Sequence, residues 1–456
     1  MRKLLLLFCL GILTLALTAP AMAASAIDFS GYVSFFHSTN RNFTRDSYRY
    51  LYGNLDRFRD VDSFFDHRLH LNVLIKPTED ITVNWAIRSL NHTRWGTVPV
   101  GAGSGTGSEL FTYWLYAEIR QPWGTISVGR TAELMPTNAL GLTTLGYTKV
   151  IGDFQYYYPF DPVGTPDGIV YNHDFGNGWG LAAFYAKDEH HQPLSAAIGN
   201  RAVKDEDSER FGIEPRYTWD TGGVTFAVQY QRDMTNPDAT SNYGIVINPA
   251  FVQAWGPFSI HFETAVGFGK TRYLNQYTEK AAGLGFFLDA VYNYGAGEVT
   301  LLSWFADGTS TKDNKSHNMI NMGDFAPFLV AFNAQTLGTG AFANSLPYPL
   351  VPNNGPNNAR YNNWGIGLLG VHSINDDIKF NYGLGYFRLV NDDLGNRVGK
   401  DLGFEIDLGI QLQLLDNLSF ETQFGYMFNG NAYKIIGFDM RPSDTFAWAS
   451  VLTVAF

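Results

Sequence analysis

Bond-making chemistry needs nucleophiles, bases or metal ligands gathered in one place, and this sequence offers few. His190 and His191 adjoin Asp188 and Glu189. Consecutive side chains on one chain point apart, however, and the stretch reads as a solvated loop. No Gly-x-Ser-x-Gly elbow, His-Glu-x-x-His pair or phosphate-binding loop occurs beyond the first 23 residues. No catalytic residue, metal or cofactor is therefore expected. What does recur is charge at every second position. Arg68, Arg88, Arg120 and Arg216, with Glu118, Glu214 and Glu263, sit among polar neighbours that alternate with apolar ones. Such groups hold water and ions on one face of a strand and break no bonds.

The elements carrying these charges are long strands. From Phe65 to Lys76, Phe65, Leu69, Leu71, Val73 and Ile75 alternate with Asp66, Arg68, His70, Asn72 and Lys76. Ile81, Val83, Trp85 and Ile87 then alternate with Thr82, Asn84 and Arg88, after a Pro77-Thr78-Glu79-Asp80 turn. Leu402 to Leu414 keeps the same period-two pattern around Glu405 and Asp407. Segments of about 9–13 residues match tilted strands that cross a bilayer, with one face to lipid and one to water. Strands of a soluble sandwich average about five or six residues.

Composition and the amino terminus agree. Arg2 and Lys3 precede an apolar run from Leu4 to Leu17, and Ala21-Met22-Ala23 offers a cleavage site, so residues 1–23 read as a signal peptide. The single cysteine, Cys9, lies within it. Residues 24–456 then form one domain without disulfides. Aromatic residues make up 15% of the chain and charged ones only 16%, against about 25% in ordinary globular proteins. No later stretch is long and apolar enough for a membrane helix. A net charge of −11 argues against nucleic acid as a partner.

Connections alternate between short and long. Short turns fall near 77–80, 122–124, 176–178, 221–223, 256–257, 295–297, 375–377 and 416–417. Long polar loops fall near 39–63, 94–109, 133–167, 189–208, 234–244, 270–279, 307–360, 391–400 and 431–443. Short periplasmic turns and long external loops are the pattern of an outer-membrane barrel. The fold expected is all-β, a transmembrane antiparallel barrel of 18 strands. Sixteen is the alternative, because 245–255 and 361–374 are weak segments.

Two stretches carry a family resemblance. Phe446, Trp448, Leu452, Val454 and the terminal Phe456 share one face of a final strand, which resembles the carboxy-terminal assembly signal of Gram-negative outer-membrane proteins. Pro122-Trp123-Gly124-Thr125-Ile126-Ser127-Val128-Gly129-Arg130, followed by Asp167-Gly168-Ile169-Val170-Tyr171-Asn172, resembles the hairpins that flank the third external loop of general porins.

That resemblance implies a water-filled channel for passive diffusion of ions and small hydrophilic solutes, with loop 133–167 folded inward to constrict it. In that family acids on the loop face arginines on the wall. Here the acids would be Glu133, Asp153, Asp161 and Asp167, and the wall would supply Arg68, Arg88, Arg120, Arg130 and Arg216. Strict alternation sets Arg130 with Ile126 and Val128 on the lipid side, so either it lies beyond the hydrocarbon edge or a bulge turns it inward. Trp114, Tyr116, Tyr157 and Trp304 are candidate lumen aromatics, either a stacking track for sugars or space-fillers between wall and loop. The resemblance further implies a homotrimer in the bacterial outer membrane, contact with its lipids, and recognition of Phe456 by the barrel-assembly machinery. Two rivals stand beside it: a channel selective for sugars or organic acids, and a non-transporting adhesin or structural barrel whose loop 307–360 binds a surface partner.

Overall fold

The computed structural model describes residues 26–41, 61–89, 110–130, 148–151, 154–157, 167–190, 207–233, 239–273, 278–308, 315–317, 328, 362–391, 399–433 and 444–456. In chain order the strands are β1 (Ala26–Arg41), β2 (Val61–Lys76), β3 (Ile81–Ser89), β4 (Leu110–Gln121), β5 (Gly124–Arg130), β6 (Thr148–Ile151) and β7 (Phe154–Tyr157). They continue with β8 (Asp167–Gly176), β9 (Trp179–His190), β10 (Asp207–Trp219), β11 (Gly222–Asp233), β12 (Ala239–Trp255), β13 (Phe258–Tyr273) and β14 (Thr278–Asn293). The last are β15 (Gly297–Ala306), β16 (Lys315–Ser316), β17 (Asn363–Ser373), β18 (Ile378–Leu389), β19 (Asp401–Leu415), β20 (Leu418–Asn429) and β21 (Thr445–Ala455).

Apart from the β6–β7 hairpin and the two-residue β16, each strand pairs antiparallel with the next, and β1 pairs with β21. The result is a closed barrel of 18 strands, which decides between 18 and 16. Closure leaves no open edge, so every strand can satisfy its backbone polar groups inside lipid. All eight expected short turns join strands at one end, and the weak segments become β12 and β17.

Local chemistry explains several joints. Asn177 and Gly178 take φ of 53° and 83°, the left-handed pair that a two-residue hairpin needs to match strand twist. Gly129, with φ of 129°, lies where a Cβ would strike the Leu115 carbonyl oxygen of the neighbouring strand. Pro249 has no N–H to give, and the β12–β13 ladder skips positions 248 and 249. The Asn248 side-chain amide donates instead to the Thr264 carbonyl at 2.7 Å.

Burial inverts the order of a soluble protein. Along β19, Phe404, Leu408 and Ile410 are exposed, while Glu405 and Asp407 are buried. Along β11, Val224 and Phe226 are exposed on either side of buried Thr225. The exposed face is the lipid face, where Arg or Lys at mid-depth would cost about 2–4 kcal/mol. Near the short-turn end, rings of Trp179, Tyr217, Trp219 and Phe251 follow one another at 4.8, 5.9 and 6.3 Å. Phe258 stacks on Tyr292 at 4.5 Å. Amphipathic rings at that level form an interfacial girdle.

Candidate pore lining

Because strands alternate, every inward side chain is fixed by its strand's register. Cross-strand partners share a face, so the ladders list the lumen wall directly. One arc, on β8 to β14, carries Asn172, Glu214, Arg216, Glu263, His261 and Asp289 on the inward side. Arg216 is buried and lies across Gly180, where any Cβ would meet its side chain, to donate from Nη2 to Asn172 Oδ1 at 2.5 Å. Glu214, two residues earlier on the same face, is fully buried. His261 Nδ1 stands 4.0 Å from Asp289 Oδ2, both groups buried. A second arc, on β18 to β20, carries Asn381, Glu405, Asp407 and Gln423, none more than 1% exposed.

A third arc, on β1 to β4, is aromatic and basic. Tyr32, His70 and Arg88 are consecutive partners in the ladder, and Tyr32 stacks on His70 at 5.2 Å. The β3–β4 ladder shifts register between Ala86 and Ile87, which leaves Tyr113 as the extra residue. Tyr113 thereby meets Trp114 at 4.8 Å and His70 at 6.1 Å, and the Arg88 guanidinium lies over its ring at 4.8 Å. Alternation alone would have sent Tyr113 to lipid. It was missed for that reason, since a bulge leaves no mark in residue types.

The expected site residues separate into groups. Arg88 and Arg216 reach the inward face as set out above. Arg68 lies opposite Ser34 in the β1–β2 ladder, and its side chain is outside the described residues. Arg120 is exposed at the short-turn end of β4 and pairs with Glu118 at 2.8 Å, away from mid-barrel. Arg130 needs correction as a pore-lining residue. The β4–β5 and β5–β8 ladders run without a bulge, so Arg130 stands opposite outward Leu115 and opposite Asp167. Arg130 Nε donates to Asp167 Oδ1 at 3.1 Å. Asp167 shares the outward face with Ile169, so it too is corrected: it opens β8 and is no constriction acid. Glu133, Asp153 and Asp161 lie outside the described residues. Tyr157 ends β7, but its side chain is outside them too.

Among the aromatics, Trp114 and Tyr116 are half-buried on the inward face of β4, the latter opposite Gly129. Trp304 is fully buried, donates from Nε1 to Asn363 Oδ1 at 2.9 Å, and packs against Phe328 at 6.3 Å and Phe387 at 5.9 Å. It offers no open face to a sugar and fills space between wall and loop. Phe456 is exposed on the outward side of the seam.

Two external loops enter the barrel region. The third loop contains the β6–β7 hairpin, and the backbone of β6 comes within 8 Å of β17, nine strands round the wall from β5. Half of an 18-strand circuit separates the two, so the hairpin lies across the barrel from the strand that leads into its loop. The loop after β15 contributes Phe328, fully buried against the inward face of β17 and β18.

A closed barrel with an apolar outer face and a charged inner face is an outer-membrane diffusion channel. A family model described as Gram-negative porin matches residues 11–326, and the chain belongs to that family. Its fold is similar to that of OccK8 (OprE) of Pseudomonas aeruginosa, at 12% identity and a TM-score of 0.52, over 96% of this chain and 99% of that one. OpdL of the same organism aligns at 10% identity and 0.52, over 95% and 99%. A BenF-like porin from Pseudomonas fluorescens Pf-5 aligns at 12% and 0.51, over 94% and 98%. At such identities the likeness is one of fold. No curated protein matches in sequence. The protein is thus integral to the outer membrane and passes small solutes.

Proposed function

We propose that this porin is a general diffusion channel that favours cations, with its narrowest zone set by loop 133–167. One observation carries the ion preference. The inward wall between β13 and β19 carries Glu263 and Asp289 at one side, with His261 beside Asp289, and Glu405 and Asp407 at the other. The inward Lys379 stands at the short-turn mouth instead. Arg88 lies on the β1–β4 arc and Arg216 on β10, three strands before Glu263, which sets up a field across the lumen. Permeation then depends on pore radius, on these charges and on the cost of stripping water from the solute.

The remaining expectations belong to the same reading. Residues 1–23 are removed on export, 24–456 form the barrel, Phe456 is read by the assembly machinery, and three copies associate. The adhesin alternative loses support from Phe328, because part of the loop assigned to a surface partner lies in the lumen. A channel selective for one solute would show saturable block by that solute alone. The deciding test is single-channel conductance of refolded protein under a salt gradient. Ohmic steps, grouped in threes, with a reversal potential of cationic sign are expected. Correctly folded protein without steps would overturn the reading.

A further inference from the structure

Phe328 occupies a socket built for a flat ring. Its floor is backbone: a Cβ on Gly367 would lie 2.5 Å from the Phe328 ring, and one on Gly385 2.8 Å from it. Its walls are Trp304 and Phe387, the latter edge-on to Phe328 at 5.1 Å and an interplanar angle of 70°. Trp304 is locked in place by its hydrogen bond to Asn363. The socket lies well inside the barrel, since Gly367 is four residues along β17 from Asn363, about 13 Å at strand rise.

Carboxylates flank this socket. Gly385 is the ladder partner of Glu405, and Gly383 that of Asp407, with opposed Cα atoms about 4.5–5.5 Å apart. On the other side Gly367 pairs with Leu302, which pairs with Asp289. A ring seated on the glycines therefore has acids on both neighbouring arcs. Apolar walls reward a flat hydrocarbon, and the surrounding charge rewards a cation attached to it.

We infer that the socket is a binding subsite for the ring of a ring-bearing organic cation, and that Phe328 is the chain's own occupant of it. It presupposes the cation-favouring channel proposed above. Phe328 is tethered to the wall, so it competes at an effective concentration in the millimolar range, and solutes bind weakly while it is seated. It is thereby a specificity-determining residue: ions pass beside it, whereas ring-bearing cations must displace it to dwell.

The test is block of single-channel current by benzylammonium, methylammonium and benzoate in the wild type and in Phe328→Ala. In the variant, benzylammonium should block at about tenfold lower concentration than in the wild type. Methylammonium lacks the ring and benzoate the positive charge, so neither should gain. Adding Gly385→Leu to Phe328→Ala fills the floor and should abolish the gain. If Phe328→Ala does not assemble, Phe328→Leu should show a smaller gain, and the wild type at higher concentration should still rank benzylammonium above methylammonium. Wild-type protein without conductance would sink the channel reading itself. A conducting wild type in which all three probes act alike, with or without Phe328, would overturn the subsite alone.

Discussion

Gly31 and Phe456 donate to each other's carbonyl oxygen, at 2.9 and 3.0 Å, where β1 meets β21. This reciprocal pair finishes the seam of the barrel. Gly31 also makes room for the terminal ring, since a Cβ there would lie 3.1 Å from Phe456 Cζ and strike the His70 carbonyl oxygen. Gly31→Leu should therefore lower the yield of closed barrel strongly. Gel mobility of unheated against heated protein reads this, and unchanged yield would mean that the seam tolerates a side chain.

Arg88 lies over the Tyr113 ring on the inward face. A unit charge about 10 Å from a passing ion in water is worth about 0.4 kcal/mol, a factor of about two in permeability. Arg88→Ala should raise the cation-to-anion permeability ratio by about that factor. The shift of reversal potential measures it, and no shift would place Arg88 away from the ion path.

Removing acid should act in the opposite sense. Glu405→Gln and Asp407→Asn should each lower the cation preference by about a factor of two, and together by about four. The effect should shrink in 1 M salt, where the screening length is about 3 Å. Reversal potentials across a salt series check both statements.

Arg130 and Asp167 face outward near the external end of their strands and are both well exposed. Asp167→Ala should leave conductance and ion preference at wild-type values and cost no more than about 1 kcal/mol of stability, as exposed ion pairs do. A changed conductance would return Asp167 to the constriction.

Trp304 fills space and holds Asn363. Trp304→Ala should cost about 3–5 kcal/mol through the cavity it leaves and the lost hydrogen bond. Urea unfolding in detergent micelles measures this. A neutral substitution would mean that the ring is not packed as found.

Strand number, turn positions and faces were legible in the sequence because each is a local property. Period-two alternation assigns a face wherever one side meets lipid and the other water, and it set Arg130 outward before any ladder was drawn. The eight short turns carry their own chemistry, as Asn177-Gly178 does. Other features were decided by contacts between distant segments. Tyr113 turned inward only because β4 slips by one residue against β3. Phe328, in a stretch that reads as external loop, found its socket on Gly367 and Gly385, which stand about 40 and 60 residues further along the chain. Alternation tells which face a residue takes; which residues meet across the lumen is set by register, tilt and the path of the loops.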